Sequence, residues 1–181
     1  MIIIGIDPGL ATIGFGVIDY TGGRFRTLDY GVLTTPAHTP VPERLERIFA
    51  DATALFAKYR PDAISMEELY FSKNITTGIP VAEARGVLLL AAQKTGVGVY
   101  EYNPAEVKQA IVGYGKAEKK QVMEMTRMLL NLKEIPRPDD AADALAVAVC
   151  HAHCSGSLNV YEMNRGAARR NIKQTTDSER R

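Results

Sequence analysis

The stretch MIIIGIDPGLATIGFGVIDY, residues 1–20, decides the fold of this 181-residue chain. Residues 2–4 form a continuous β-branched run, which is typical of a strand buried on both faces. Asp7 ends that strand, and Pro8-Gly9 then forces a turn into a second strand-like run, residues 13–20. A carboxylate at the end of a buried central strand costs free energy unless a neighbouring group compensates its charge. Asp7 therefore either accepts hydrogen bonds within its own turn or belongs to a metal or phosphate site at the mouth of a sheet.

The length of the chain predicts one domain that is large enough to bury a core. No stretch approaches the length of a transmembrane helix, and the N-terminus lacks the features of a signal peptide. Two cysteines are too few for a disulfide framework. We therefore expect a cytoplasmic protein that has no membrane partner.

The charges are distributed unevenly along the chain. Residues 165–181 carry six of the 22 lysines and arginines and two of the 21 acids, which leaves 16 bases and 19 acids elsewhere. Apolar periodicity fades after residue 154, so we expect a folded domain over residues 1–154 and a basic, disordered tail over residues 155–181. Such a tail is common in nucleic-acid binders, although it also serves solubility alone.

The remaining pattern predicts an α/β fold. Three strands with short connections should form an antiparallel meander, and two later strands should pair in parallel through helical crossovers. The result is a mixed five-stranded sheet with flanking helices. After the first strand, the predicted strands cover residues 13–20, 28–34, 63–66 and 97–102, and the predicted helices cover residues 43–59, 80–95, 104–113, 116–132 and 140–153.

The last predicted helix begins with a cluster of acids. Asp140 and Asp143 are three residues apart and therefore share a face. Asp139 or Asp140 is expected to cap the helix. Capping does not explain Asp143, which lies in an otherwise Ala/Leu/Val helix. A buried carboxylate needs a cation, a metal or a proton.

Asp7 and Glu67 each end a predicted strand, and in this topology the two strands can be neighbours. Together with Asp140 and Asp143, they could bring four carboxylates into one cleft, and no lysine lies within these motifs. An all-oxygen set of ligands suits Mg²⁺ or Mn²⁺ and does not suit Zn²⁺. Two such ions about 4 Å apart would clamp the attacking and leaving oxygens of a phosphodiester.

These residues resemble the RuvC family of bacterial Holliday-junction resolvases. The resemblance runs from residue 1 to about residue 153, in order and with matching spacing. The matching segments are GIDPG with Asp7, Met-Glu-Glu with Glu67, Lys73-Asn74, Ala84-Arg85-Gly86, Val107-Lys108-Gln109, Val112-Gly113, Ala117-Glu118-Lys119 and the DAADALA segment that starts at Asp140.

The resemblance implies an RNase H-like (retroviral-integrase-like) fold and a homodimeric endonuclease, with the predicted helix 80–95 as the candidate dimer interface. Such a dimer would nick two opposed strands of a four-way DNA junction symmetrically, in recombination and repair, leaving 5′-phosphate and 3′-hydroxyl ends. The cofactor would be Mg²⁺, with Mn²⁺ as a substitute and two ions per site. The catalytic and metal-binding acids would be Asp7, Glu67, Asp140 and Asp143. The implied partners are the RuvA and RuvB branch-migration proteins.

The resemblance also implies contacts to DNA. The aromatic residue that wedges into the junction falls on Tyr70, with Phe71 next to it and Lys73 close behind. Either ring could be the one that stacks. Lys108 and Lys119 match family lysines, and we expect both to contact DNA phosphates near the site.

Some residues depart from the family pattern or allow another interpretation. Glu68 stands beside Glu67, and Asp139 stands beside Asp140; the spacing favours Glu67 and Asp140. The segment Cys150-His151-Ala-His153-Cys154 would suit zinc only with further ligands. No second ligand pair is evident in the sequence, so core cysteines are expected.

Three other functions compete with junction resolution. The acids alone would also suit an RNase H-like nuclease that cuts RNA–DNA hybrids. The GIDPG loop resembles the first phosphate loop of actin-like ATPases, but those proteins need a second lobe that 181 residues cannot hold. A non-catalytic junction-binding module is disfavoured because all four acids are present.

Overall fold

The structure is a computed structural model that describes residues 1–69 and 75–155, without the side chains of residues 75–77. Within this described part, no helix is long and apolar enough to cross a membrane. The elements are β1 (Ile2–Asp7), β2 (Thr12–Thr21), β3 (Arg24–Thr34), α1 (Val41–Tyr59), β4 (Ala63–Glu67), α2 (Ile75–Gln93), β5 (Gly98–Tyr102), α3 (Pro104–Val112), α4 (Lys119–Leu129) and α5 (Asp139–Cys154).

The strands form one sheet in the order β3-β2-β1-β4-β5. β2 runs antiparallel to both of its neighbours, β1 and β3, whereas β4 runs parallel to both β1 and β5. The predicted mixed sheet with its antiparallel meander is confirmed. Because Ile6 of β1 pairs with Met66 of β4, the residues that follow them, Asp7 and Glu67, end their strands side by side.

Each face of the sheet carries its own core. Ile3 packs on the face covered by α5, and Ile4 packs on the opposite face against α1 and α2. Both side chains are fully buried, which contributes about 1.5–3 kcal/mol each to the stability of the fold. The β-branched run at the start of the chain is therefore a central strand that is covered on both sides, as its composition predicts.

Helix α5 lies unusually close to the sheet because the strands beneath it carry glycines. A Cβ atom on Gly5 would stand 2.0 Å from the carbonyl oxygen of Ala144, and a Cβ atom on Gly14 would stand 2.0 Å from the carbonyl oxygen of Asp140. Both distances are far too short for a contact between non-bonded atoms. The missing side chains, together with the small residues of α5, let helix and sheet backbones come into direct contact.

Helix α2 begins earlier than the sequence predicts. The proline rule placed Pro80 in the first turn, but the helix starts at Ile75 and Pro80 lies inside it. A proline in this position removes one backbone hydrogen bond and disfavours the helix. Packing of α2 against α1 and the sheet outweighs that local cost. Helix propensity describes the segment alone and does not include this packing energy.

Helix α4 is shorter than predicted, because it begins at Lys119 instead of residue 116 and ends at Leu129 instead of residue 132. The backbone N–H of Glu118 donates to Oε1 of Gln121 at 2.9 Å, and this bond fixes the helix start. The predicted capping of α5 by Asp139 or Asp140 is wrong. Pro138 occupies the N-cap position, and both aspartates lie in the first turn. Their negative charges interact favourably there with the positive end of the helix dipole.

A buried histidine joins α5 to β5. His151 is 2% exposed, and its Nδ1 atom lies 2.7 Å from the hydroxyl of Tyr102. Its ring also packs on Tyr100, with ring centroids 4.3 Å apart. Burial lowers the pKa of His151 to about 4, so the imidazole is neutral in the folded protein at neutral pH.

This histidine should make the fold sensitive to acid. In the unfolded chain its pKa is about 6.5, so protonation favours unfolding as the pH falls from 6.5 towards 4, by up to ~3 kcal/mol. We expect urea unfolding to show a smaller loss of stability between pH 7 and pH 5 for His151→Asn than for the parent. His153→Asn, on the exposed side of the same helix, is the matched control. Parallel pH profiles for the parent and His151→Asn would contradict the assignment.

Candidate active site

Asp7 and Glu67 point towards α5 because of the two-residue period of β-strands. Gly5, two residues before Asp7, faces the backbone of α5. Ser65, two residues before Glu67, donates its hydroxyl hydrogen to the carbonyl oxygen of Val147 at 3.3 Å. Both carboxylates therefore lie on the α5 face of the sheet, at its carboxyl edge.

The other two predicted acids reach this edge from the N-terminal end of α5. Gly14 pairs with Asp7 across the β1–β2 ladder and at the same time contacts the backbone of Asp140. Asp140 is thereby placed beside the end of β1. Asp143, one turn further along, lines a cleft of about 270 Å³ together with Glu67. The other residues that line this cleft are Pro104, Val107, Lys108, Lys119, Val122 and Ala146.

The electrostatics of the site centre on Asp7, whose carboxyl group feels the charges of the other three acids. Burial, together with the charges of Asp143, Glu67 and Asp140, raises the pKa of Asp7 to about 7, although Lys119 opposes the rise. Burial also raises the pKa of Glu67, and Asp143 raises it further. Such a concentration of carboxylates is unfavourable unless a cation or protons compensate it.

Asp7 is not satisfied by its own turn. Among residues 1–69 and 75–155, no hydrogen bond to its carboxylate contributes to the pKa of Asp7. The interpretation of Asp7 as a simple turn residue therefore lacks the hydrogen bonds that it requires. A half-buried carboxylate that has like charges around it and no donor fits the alternative, a site that binds a cation.

Lys119 supplies part of the missing positive charge. Its Nζ atom lies 2.8 Å from Oδ2 of Asp143 and 3.7 Å from Oδ2 of Asp139. The sequence motifs of the acids contain no lysine, but the fold brings Lys119 to them across 24 residues of chain. Lys108, the other lysine predicted to contact DNA, lines the cleft and lowers the pKa of Glu67.

The neighbouring acids have different surroundings. Asp139 forms an ion pair with the exposed Arg137 at 2.5 Å. Glu68 follows the end of β4, and its backbone N–H donates to the carbonyl oxygen of Tyr102 at 2.8 Å. Neither Asp139 nor Glu68 lines the cleft, whereas Glu67 and Asp143 do.

The donor set suits a hard cation, since it consists of carboxylate oxygens alone. As the side chains stand, no group of three His, Cys, Asp or Glu residues in the described part of the chain converges closely enough to hold one metal ion. Lys119 already contacts Asp143. The cysteines of the segment considered for zinc lie elsewhere, Cys150 buried in the core between α5 and the sheet and Cys154 packed against that core.

Several predicted residues lie outside the described part of the chain. These are the DNA-contact residues Tyr70, Phe71 and Lys73 and nearly all of the tail, residues 156–181. The role of Gly14 was not predicted from the sequence. Its signal was the alternation of Gly14 and Gly16 with larger residues in β2, which leaves one face of the strand open to a helix.

The chain was compared with known proteins. A family model described as "Crossover junction endodeoxyribonuclease RuvC" matches residues 3–151. A protein of that name from Heliobacterium modesticaldum is 56% identical over 153 residues, which cover 84% of this chain and 94% of the relative. Another from Brevibacillus brevis is 53% identical over 162 residues, which cover 90% and 98%.

Solved structures of Holliday junction resolvases also match this chain. RuvC from T. thermophilus in complex with a Holliday junction substrate superimposes with a TM-score of 0.83 at 36% identity, covering 90% of this chain and all of that one. A yeast mitochondrial Holliday junction resolvase shares the fold at a TM-score of 0.64 and 12% identity, covering 85% of this chain and 78% of its own.

Proposed function

The chain belongs to the RuvC family of crossover junction endodeoxyribonucleases, and we propose that it cuts four-way DNA junctions with the carboxylates gathered at the carboxyl edge of its sheet. It is an endonuclease that resolves Holliday junctions in DNA recombination and repair. The observation that carries the site assignment is that burial and the charges of Glu67, Asp140 and Asp143 raise the pKa of Asp7 at a single edge of the sheet.

We propose that Asp7, Glu67, Asp140 and Asp143 hold Mg²⁺, with Mn²⁺ as a substitute and two ions per site. When bound, these ions would activate a water molecule and stabilise the departing 3′ oxygen of the phosphodiester. The half-buried Asp7, which has three like charges nearby and no hydrogen-bond donor for its carboxylate among the described residues, supports this proposal. The cuts would leave 5′-phosphate and 3′-hydroxyl ends, which a ligase can join.

The two lysines of the cleft would position the DNA backbone. Lys108 and Lys119 lie beside Glu67 and Asp143, where their ammonium groups can bind the oxygens of a phosphate. Phosphate contacts of this kind fix the register of the DNA without reading its sequence. In this arrangement, the lysines hold the strand and the acids face the bond that is cut.

A cleavage assay tests the function. The full chain is incubated with a four-way junction, a linear duplex of the same sequence and an RNA–DNA hybrid, each with Mg²⁺ and with a chelator. We expect rapid, Mg²⁺-dependent nicking of the junction at opposed positions and little cutting of the other substrates. Faster cutting of the hybrid than of the junction would instead favour the RNA–DNA nuclease.

We propose that the enzyme is a homodimer joined through α2, because paired nicks need two active sites related by a two-fold axis. A stripe of exposed residues follows one side of this helix at helical spacing: Ile79, Glu83, Gly86 and Leu90. Ile79 is 52% exposed and Leu90 is 55% exposed. Gly86 has no neighbour within 4 Å of its missing Cβ, so another helix could approach closely there.

Leu90→Glu should therefore weaken the dimer. Burying a charge at the interface in place of Leu90 should weaken the association constant of the dimer several-fold or more. Light scattering at micromolar concentration should therefore show a shift towards monomer. Junctions should then acquire single nicks in place of paired nicks. Met128→Glu is the matched control, because Met128 is 58% exposed on α4, away from the stripe. An unchanged dimer in Leu90→Glu would rule out this face.

Other proposals rest on the family resemblance. Tyr70 would stack on a base unpaired at the junction centre, so Tyr70→Ala should lose junction cleavage while Phe71→Ala serves as its control.

Lys73 would contact the DNA backbone nearby. The basic tail would add salt-sensitive affinity for DNA, and RuvA and RuvB would act as partners.

A further inference from the structure

Lys119 occupies the position on Asp143 that the proposed metal site would need. Its Nζ atom is 2.8 Å from the carboxylate of Asp143, and its charge also acts on Asp7 and Glu67. A divalent cation bound at Asp143 would face this ammonium group at close range. Since like charges repel, the two cations compete for the same carboxylate.

The start of α4 is fixed, whereas the lysine side chain is largely exposed to solvent. The backbone N–H of Glu118 and the hydroxyl of Tyr114 both donate to Oε1 of Gln121 at 2.9 Å, so the helix start is anchored. The Lys119 side chain is 55% exposed. It can therefore exchange one oxygen partner for another without disturbing the fold.

We propose that Lys119 is a positioning residue that neutralises Asp143 while no DNA is bound and moves to a DNA phosphate when the junction binds. This inference rests on the proposed metal site. Its consequence is that junction binding strengthens metal binding, because it removes the competing cation. By thermodynamic linkage, metal binding must strengthen junction binding by the same factor.

The DNA backbone is a suitable acceptor for the lysine. The lysine and Asp143 form a partly exposed ion pair, and pairs of this kind are weak in water. A phosphate that arrives with the DNA offers the same ammonium group an equivalent oxygen and releases condensed counterions from the DNA. Moving from Asp143 to a phosphate therefore costs Lys119 little ion-pair energy.

The first test measures metal binding without DNA. Mn²⁺ is titrated into the full-length protein at constant ionic strength, and free Mn²⁺ is followed by electron paramagnetic resonance. Lys119→Met should bind Mn²⁺ roughly tenfold more tightly than the parent, and Lys119→Arg should resemble the parent. Lys116→Met removes the same charge nearby, from a residue that does not line the cleft, and should change the affinity less than twofold.

The second test measures DNA binding without metal. In a chelator, the logarithm of junction affinity falls with the logarithm of salt concentration, and Lys119→Met should reduce that slope by about one. If Mn²⁺ affinity depends on Asp7 but is equal in the parent and Lys119→Met, or if the salt slope is unchanged, the role of Lys119 is overturned. If Asp7→Asn binds Mn²⁺ as tightly as the parent does, the metal site itself is wrong.

Discussion

Replacing any one of the four acids by its amide should lower junction nicking about a thousandfold or more. Each amide keeps the shape of the side chain but removes a negative ligand, and a loss of ~4 kcal/mol of transition-state stabilisation corresponds to that factor. The variants are Asp7→Asn, Glu67→Gln, Asp140→Asn and Asp143→Asn, assayed with Mg²⁺ under single-turnover conditions. Near-normal nicking by Asp7→Asn or Asp143→Asn would end the two-metal interpretation.

Two neighbouring acids serve as matched controls for this series. Glu68→Gln and Asp139→Asn remove the same charge within one residue of Glu67 and Asp140, and both should have mild effects. Asp139 is paired with Arg137 at the surface, so its carboxylate is already compensated there. In a chelator, the four active-site variants should bind the junction as well as the parent or more tightly, because less negative charge faces the phosphates.

Asp7→Asn should also stabilise the metal-free protein. Burial and three like charges raise the pKa of Asp7 to about 7, so above that pH the fold must hold an unfavourable carboxylate that the unfolded chain tolerates. The destabilisation grows as the pH rises from about 4 to 7. In a chelator, the melting temperature of the variant should therefore exceed that of the parent most clearly above pH 7, and the difference should shrink in acid. A variant destabilised at every pH would indicate a structural role instead.

The fold follows from local patterns in the sequence. The β-branched start and the Pro8-Gly9 turn act locally, and the structure contains β1 and the meander that they predict, although β3 starts at Arg24 instead of residue 28. Helix α3 also has a local signal, because Asn103 and Glu106 form a capping box at its start. Helix boundaries differed where tertiary contacts outweighed propensity, as at Ile75. A sequence pattern reports what a segment prefers alone, whereas packing decides where a helix begins.

The ion pair between Lys119 and Asp143 could not be predicted in the same way. The two residues lie on different helices, 24 positions apart, and their contact depends on how α4 packs against α5. The acids could be grouped because strand ends of neighbouring parallel strands meet at one edge. No comparable rule places the first residue of one helix beside the first turn of another.

Gly14→Ala should displace the active site while leaving its residues intact. The added Cβ atom would stand 2.0 Å from the carbonyl oxygen and 3.1 Å from the Cβ of Asp140. Backbone cannot yield as a flexible side chain can, so the first turn of α5 must move away from β1 and β2. The carboxylates of Asp140 and Asp143 would move with it, relative to Asp7.

A shift of about 1 Å in a catalytic group can cost roughly 100-fold in rate, and overpacking of this kind costs about 1–3 kcal/mol in stability. We expect Gly14→Ala to stay folded below its lowered melting temperature and to nick junctions about 100-fold more slowly. Gly31→Ala, whose Cβ would meet only the ring of Phe15 at 3.3 Å on the same sheet, is the matched control and should keep its activity. If Gly14→Ala nicks as fast as Gly31→Ala at equal folded fraction, the contact of α5 with β2 does not set the position of the acids.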